Sequence, residues 1–318
     1  MRLSRDKKHE QFKTSIGGQA LIEGIMMRGP KEVAVATRLP DGTIDVEMLS
    51  GLRKARPRFL KLPIIRGVVN FIDSLAVGYK CMMKSAEKAG LEETEEPSKF
   101  EQWLDRVFSE KFVNVLMGAA SVAAIFLAVF LFIYLPALAV KGLSMLVDLG
   151  WAKTLVEGLI KIVILVGYLA AVSRMTEIHR TFCYHGAEHK TIACYEAGEK
   201  LTVENIRKQI RFHPRCGTSF LLIVLIIGIL VFSFPIVPWD NILLRSAVKI
   251  LLMPLVVGIA YELIKLAGRY DNILTRIISA PGLWLQRITT NEPDDSQIEV
   301  AIAAMERVIP QEKGLDRW

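Results

Sequence analysis

Histidine and cysteine side chains are concentrated in one polar stretch of this chain, between Arg174 and Gly217. Four of the five histidines and three of the four cysteines fall there: His179, His185, His189, His213, Cys183, Cys194 and Cys216. Histidines four residues apart share one face of a helix, so His185 and His189 could hold one ion while Glu188 leans toward the same side. This His-x-x-Glu-His spacing is that of inverted zinc-peptidase motifs.

Two kinds of zinc site are compatible with these residues. Ligation by His185, His189, His213 and Cys216 together would give a closed, structural site, because mixed nitrogen and sulfur ligands suit tetrahedral zinc. Ligation by the three histidines alone would leave one position open to water. Glu188 would then be the catalytic residue, acting as general base toward that water.

The same residues also have a structural interpretation without a metal. His185 and Glu188 could be a hydrogen-bonded pair that holds a loop, and His213 with Pro214 could cap the next apolar helix. The clustering, rather than any single histidine, favours the metal. Proteolysis is disfavoured, because inverted zinc peptidases take a further glutamate from far downstream and three nearby glutamates are not evidently placed to supply it: Glu196, Glu199 and Glu204.

Composition indicates a membrane protein with substantial polar parts. The chain has 318 residues, of which 52% are hydrophobic and 23% charged, and its mean hydropathy is +0.34. A transmembrane helix needs about 20 apolar residues to cross a hydrocarbon core roughly 30 Å thick. Four stretches meet this requirement: 113–140, 154–173, 218–238 and 243–264. The expected fold class is therefore an α-helical polytopic membrane protein with about four transmembrane helices.

The distribution of lysine and arginine predicts the orientation. Residues 1–111 hold 20 of the 40 basic residues, and 174–217 hold eight. The connections around 141–153 and 239–249 hold only four. By the positive-inside rule, both termini and the histidine-rich connection face the cytoplasm. In that reducing compartment the cysteines are expected to be core residues or metal ligands rather than disulfides.

Polar and amphipathic segments flank the predicted spans. Residues 31–37 and 43–49 surround a Pro-Asp-Gly turn, which predicts a hairpin in a small N-terminal β unit. Residues 59–88 and 272–284 have helical amphipathic patterns typical of interfacial helices, the second broken at Pro281-Gly282. Asn291-Glu292-Pro293-Asp294-Asp295 predicts the start of a terminal helix that needs a partner surface. The expected regions are 1–58, 59–111, 112–173, 174–217, 218–266 and 267–318.

Two further features lie outside the histidine cluster. Glu262 is expected to contact Lys265 or Arg269 at the end of the last span, with a position beside the metal ligands as the alternative. The glycine-rich stretch 17–30 does not match a phosphate-binding fingerprint. Its glycines are expected to permit tight packing, with Glu23 and Arg28 in polar contact.

Four motifs carry a resemblance to a known family. They are GGQALIEGIMMRGP at 17–30, YHGAEHKT at 184–191, HPRCGTS at 213–219 and PGLWLQ at 281–286 followed by EPDD at 292–295. With these motifs the chain resembles, nearly end to end, the bacterial YqhQ-like family, an uncharacterised family labelled as predicted metal-dependent enzymes. The resemblance implies a bacterial inner-membrane location and a metal-dependent activity.

Two functions from different classes are therefore expected. The first is a metal-dependent hydrolase with a zinc site on the cytoplasmic side. The second is a non-catalytic accessory or scaffold protein, which docks the ribosome or a protein translocation channel and in which the cluster is structural. The lipid bilayer is the expected surrounding in both cases, and no DNA partner is expected. Substrate and oligomeric state do not follow from the sequence.

Overall fold

The computed structural model describes residues 12–49, 57–90, 122–123, 126–234, 242–270, 272–312 and 314–317. The chain divides into two compact units. The first, here called the site unit, comprises Met1–Gly90, Leu169–Val224 and Pro254–Trp318. The second, here called the apolar unit, comprises Leu91–Tyr168 and Leu225–Met253.

A four-stranded antiparallel meander opens the site unit. Its strands pair in chain order: β1 (Gly17–Leu21), β2 (Gly24–Arg28), β3 (Val33–Arg38) and β4 (Ile44–Leu49). The predicted hairpin is confirmed as β3 and β4, with Gly42 at φ +84° in its turn. The sequence reading did not anticipate β1 and β2. They are joined by a turn at Ile22–Glu23 in which Glu23 has φ +49°.

The amphipathic segment after the sheet is helical, as predicted. A short 3₁₀ helix (Arg58–Lys61) precedes α1 (Ile65–Lys88). One face of α1 packs on the sheet and buries Cys81 and Ser85. The other face leaves large apolar side chains exposed: Ile65, Ile72, Leu75, Tyr79 and Met83. An apolar face of this kind is typical of a helix at a membrane interface.

Three helices in the described residues are long and apolar enough to cross a membrane. The first is α2 (Phe126–Leu146), which contains a π-helical turn at Phe130–Tyr134. The second is α3 (Lys153–Val172), and the third is the stretch Leu244–Arg269 of α7 (Ile242–Arg269). The described apolar helix α6 (Gly217–Phe232) is shorter than the predicted span 218–238. Of the predicted span 113–140, residues 113–121 lie outside the described part.

The histidine-rich connection is mostly helical. It contains α4 (Thr176–Glu196) and the short α5 (Val203–Arg207). Two capped helices follow the last span: α8 (Ile273–Thr289), which starts at a capping box of Asn272 and Thr275, and α9 (Asp295–Val308), with a capping box of Asp294 and Gln297. The predicted helix start near Pro293 is thus confirmed.

The predicted break at Pro281 is wrong, because α8 continues through it. Proline removes one backbone hydrogen bond from a helix interior. Here Gly282 compensates by packing directly on Ser219, where any side chain would collide with the backbone and side chain of that residue. The close contact of α8 with α6 holds the two halves of the helix in line.

The core of the site unit lies between the sheet and two helices. The last helix, α9, packs on α4 and on β2, β3 and β4. The buried side chains of this core include Ile25, Met27, Tyr184, Ile192, Ile298 and Met305. The partner surface that α9 was predicted to need is therefore both the β unit and the helix that carries the histidines.

Candidate metal centre

Three side chains converge in the site unit. His185 and His189 lie one turn apart on α4, and Cys216 immediately precedes α6. One ligand atom from each lies within 4.8 Å of the others. The Nε2 atom of His185 is 3.1 Å from Cys216 Sγ. This His₂Cys group could hold a metal ion, because all three are common ligands of zinc.

The opposite nitrogen of each imidazole is held by a backbone carbonyl. His185 Nδ1 donates to the Thr289 carbonyl at 2.8 Å, and His189 Nδ1 donates to the Arg211 carbonyl at 2.6 Å. Because a carbonyl can only accept, each Nδ1 carries a proton and each Nε2 is directed at Cys216. Metal-bound histidines are oriented by this kind of outer hydrogen bond.

The electrostatics of the group favour the thiolate, which is the form of cysteine that binds metals. Burial by itself raises the pKa of Cys216, but the adjacent imidazoles of His185 and His189 outweigh it and hold this pKa well below 9.0. Burial lowers the pKa of His185, whereas the Cys216 sulfur raises it, with a net result of about 9.

Glu188, the predicted general base, lies beside this group and is 4% exposed. Its carboxylate accepts a hydrogen bond from the Gly18 backbone N–H of strand β1. Its side chain packs so closely on Gly18 that a Cβ there would lie 2.9 Å from the Glu188 Cδ atom. The other oxygen, Oε2, is buried and has no hydrogen-bond partner among the described residues. Burial raises the pKa of this carboxyl group.

His213, the fourth predicted ligand, lies at the edge of the cluster and not in the converging set. Its ring centroid is 5.5 Å from that of His189, and its Nε2 accepts a hydrogen bond from Arg215 at 3.1 Å. Its backbone N–H and carbonyl are both bound by the side chain of Gln286, at 2.7 Å each. Burial, followed by the charge of Arg215, lowers the pKa of His213 well below 6.5.

The remaining histidine and cysteines of the connection have other partners. His179 Nδ1 lies 3.8 Å from Cys183 Sγ, and Cys194 donates to the Lys200 carbonyl at 3.5 Å. The structure therefore selects Cys216 from the three cysteines of this connection.

Long-range contacts that the sequence did not reveal hold α4 in place. Glu23, in the strained turn of the sheet, pairs with Arg180 and accepts from Tyr184, rather than from Arg28 as expected. Glu292 pairs with Lys190 at 2.5 Å and with Arg211 at 2.6 Å. Glu292 belongs to the EPDD motif, which was read only as a helix start.

The chain after α8 crosses α4 at Gly186. Asn291 N–H donates to the Phe182 carbonyl at 2.9 Å. The Asn291 carbonyl occupies the space that a side chain at position 186 would need. Glycine is therefore required between the two ligands His185 and His189 for close backbone approach.

The expectation for Glu262 is wrong. Its carboxylate accepts two hydrogen bonds from Arg66 of α1, one of them at 2.7 Å, and not from Lys265 or Arg269. This ion pair ties α1 to the end of α7 and does not belong to the metal ligands.

Together these features define a helical protein with apolar helices of spanning length, an N-terminal meander sheet and a buried His₂Cys centre. The chain belongs to the family described as "Protein of unknown function (DUF1385)", which matches residues 62–311. It is 35% identical over 297 residues to "Uncharacterized protein YqhQ" of Bacillus subtilis (strain 168), with 92% of each chain covered. The predicted family is thereby confirmed. No solved structure matches the chain.

Proposed function

We propose that this protein is a zinc-dependent hydrolase of the bacterial inner membrane, with its site on the cytoplasmic side. The observation that carries the proposal is the convergence of His185, His189 and Cys216, with the two Nδ1 atoms fixed by backbone carbonyls. Three protein ligands leave one of four tetrahedral positions for water, as in catalytic zinc sites.

Glu188 is the catalytic base of the proposal. A bound zinc ion would lower the pKa of its water to about 7. The buried Oε2 of Glu188 is the acceptor for the proton of that water, because this oxygen lacks a partner among the described residues while the Gly18 N–H fixes the rest of the carboxylate. The raised pKa of Glu188 brings its affinity for a proton closer to that needed near neutral pH.

Metal analysis of the purified full-length protein tests the site. About one zinc per chain is expected in the wild type and in Glu188→Gln, and none in His189→Ala or Cys216→Ser. His179→Ala is the matched control, since His179 lies on the same helix outside the converging group. Absence of zinc from wild type prepared without chelator would overturn the proposal.

His213→Ala separates the two forms of the site. An open three-ligand site keeps its zinc in this variant, because Nε2 of His213 faces Arg215. Loss of zinc equal to that in Cys216→Ser would show four ligands and hence a closed, structural site. In that case hydrolysis is abandoned, and the metal serves only to hold α4 and α6 together.

The second candidate is a non-catalytic accessory role, in which the protein docks the ribosome or a translocation channel. It is favoured by the way the cluster ties three elements together, since His185 contacts both Cys216 before α6 and Thr289 at the end of α8. A screen of hydrolase substrates separates the two. Activity that is lost in Glu188→Gln, while folding and zinc content are kept, supports the enzyme. Binding to isolated ribosomes that is unchanged in Glu188→Gln supports docking.

A further inference from the structure

A second buried polar cluster lies in the apolar unit. Glu157 of α3 is 3% exposed and forms an ion pair with Arg245 of α7. The same carboxylate also pairs with Lys249 of α7 at 2.8 Å and with Lys161 of α3 at 2.7 Å. The side chains of these three cations are between 8% and 18% exposed.

The cations of this cluster exceed its anions. Arg245 alone neutralises the single carboxylate of Glu157, yet Lys161 and Lys249 are directed at the same two oxygens. Both lysines lie in helices of spanning length. An uncompensated charge between apolar helices costs several kcal/mol, and ionisable groups inside a membrane are retained mainly where they act on an ion or substrate.

The position of the cluster along the helices suggests the source of a counter-ion. Glu157 and Lys161 lie four and eight residues after the start of α3, which is ~6 and ~12 Å along the axis. Arg245 and Lys249 lie three and seven residues after the start of α7, or ~5 and ~10 Å. In a helix that crosses a bilayer, this depth is close to the phosphate groups of the lipid. Lys249 is further held by Phe232, whose ring centroid is 5.5 Å from its Nζ.

We infer that Lys161 and Lys249 bind a phosphate group between α3 and α7, with Glu157 and Arg245 as a neutral pair that positions them. The ligand chemistry is a phosphate oxyanion, supplied either by the headgroup of an anionic phospholipid or by free phosphate. Two ammonium groups around one oxyanion form charge-assisted hydrogen bonds, which are the stronger class. This site is independent of the proposed zinc chemistry.

Thermal unfolding of the full-length protein in nanodiscs tests the site. Discs of phosphatidylglycerol are compared with discs of phosphatidylcholine, and inorganic phosphate is titrated into the second kind. If the headgroup is the ligand, the wild type is more stable in phosphatidylglycerol and free phosphate has no effect. If free phosphate is the ligand, it restores the stability in phosphatidylcholine.

Variants assign either response to the lysines. The double variant K161M/K249M retains the Glu157–Arg245 pair and should fold, but its response should fall at least tenfold in the concentration of anionic lipid or phosphate required. K161R/K249R keeps the charges and should retain most of the response. Lys141→Met is the matched control, because Lys141 is exposed on the apolar helix α2. A K161M/K249M response equal to that of the wild type, or no response of the wild type to either probe, would overturn the inference.

Discussion

The two buried polar clusters of this protein are built in opposite ways. In the site unit, neutral hydrogen bonds from Nδ1 to carbonyls fix His185 and His189, so that their Nε2 atoms are directed at a common point. In the apolar unit, Glu157 is surrounded directly by Lys161 and Lys249 with Arg245, and no backbone group is recorded among the partners of its carboxylate. The first cluster is organised by direction and the second by charge.

This difference determines what each cluster can tolerate. A directional cluster keeps its fold when one ligand is replaced but loses the ion, because ligand geometry decides affinity. A charge cluster tolerates altered geometry but not the removal of its only carboxylate, because buried charges then remain without compensation.

The largest expected effect is that of Glu157→Gln. Removing the carboxylate leaves three buried cations without their shared partner, which should lower the free energy of unfolding by about 3–5 kcal/mol. Denaturant titration in mixed micelles measures the loss. Glu204→Gln is the control, since Glu204 and Lys208 form an exposed pair whose loss should leave the free energy of unfolding nearly unchanged. Equal behaviour of the two variants would remove the distinction between the clusters.

Gln286→Leu should have the next largest effect, in the directional cluster. The leucine cannot bind the backbone N–H and carbonyl of His213, so two buried polar groups lose their partner, at about 1–3 kcal/mol each at most. Zinc affinity should fall about 10-fold or more, because Gln286 positions the segment that carries Cys216. Competition with a zinc chelator measures this change. Gln209→Leu, at an exposed contact with Glu199, should bind zinc like the wild type.

Gly18→Ala compared with Gly17→Ala is expected to have a smaller effect. A Cβ at Gly18 would lie 2.7 Å from the Met26 carbonyl and 2.9 Å from the Glu188 side chain, whereas a Cβ at Gly17 has nothing within 4 Å. Crowding of this kind should cost about 1–3 kcal/mol in Gly18→Ala and little in Gly17→Ala. Hydrolytic activity, if present, should fall in Gly18→Ala alone, while its zinc content stays at the wild-type level.

The smallest expected effect is a titration of the metal-free protein. Because the folded-state pKa of Cys216 is depressed by His185 and His189 despite burial, the stability contributed by the thiolate is present above the unfolded-state pKa. It is lost as the pH falls through the folded-state pKa. Thiolate absorbance in the far ultraviolet should therefore be present at neutral pH and absent from Cys216→Ser. A neutral thiol at that pH would show that the cluster is not organised toward a thiolate.

Local sequence signals predicted the local structure well. The Pro-Asp-Gly turn gave the hairpin of β3 and β4, and Asp294 with its neighbours gave the start of α9. Strands β1 and β2 were not predicted, because their turn at Ile22–Glu23 lacks the glycine, asparagine or aspartate that usually identifies a two-residue turn.

Contacts between distant residues set the limit of the sequence reading of the site. Spacing identified His185, His189 and Glu188 on one helix, and a family motif supplied Cys216. Whether His213 converges with them depends on Gln286 and Arg215, and no local signal records those contacts. Likewise, the partner of Glu262 is Arg66, which lies 196 positions away in the chain.

The close contact of Asn291 with Gly186 has a consequence for the biogenesis of the protein. The backbone that locks α4 follows α8, so it is synthesised only after all the apolar helices have left the ribosome. The Thr289 carbonyl that orients His185 comes from the same late segment. A nascent chain that stops before this point carries all three metal ligands but not the frame that aims them. Stable metal loading should therefore report that synthesis and membrane insertion are complete.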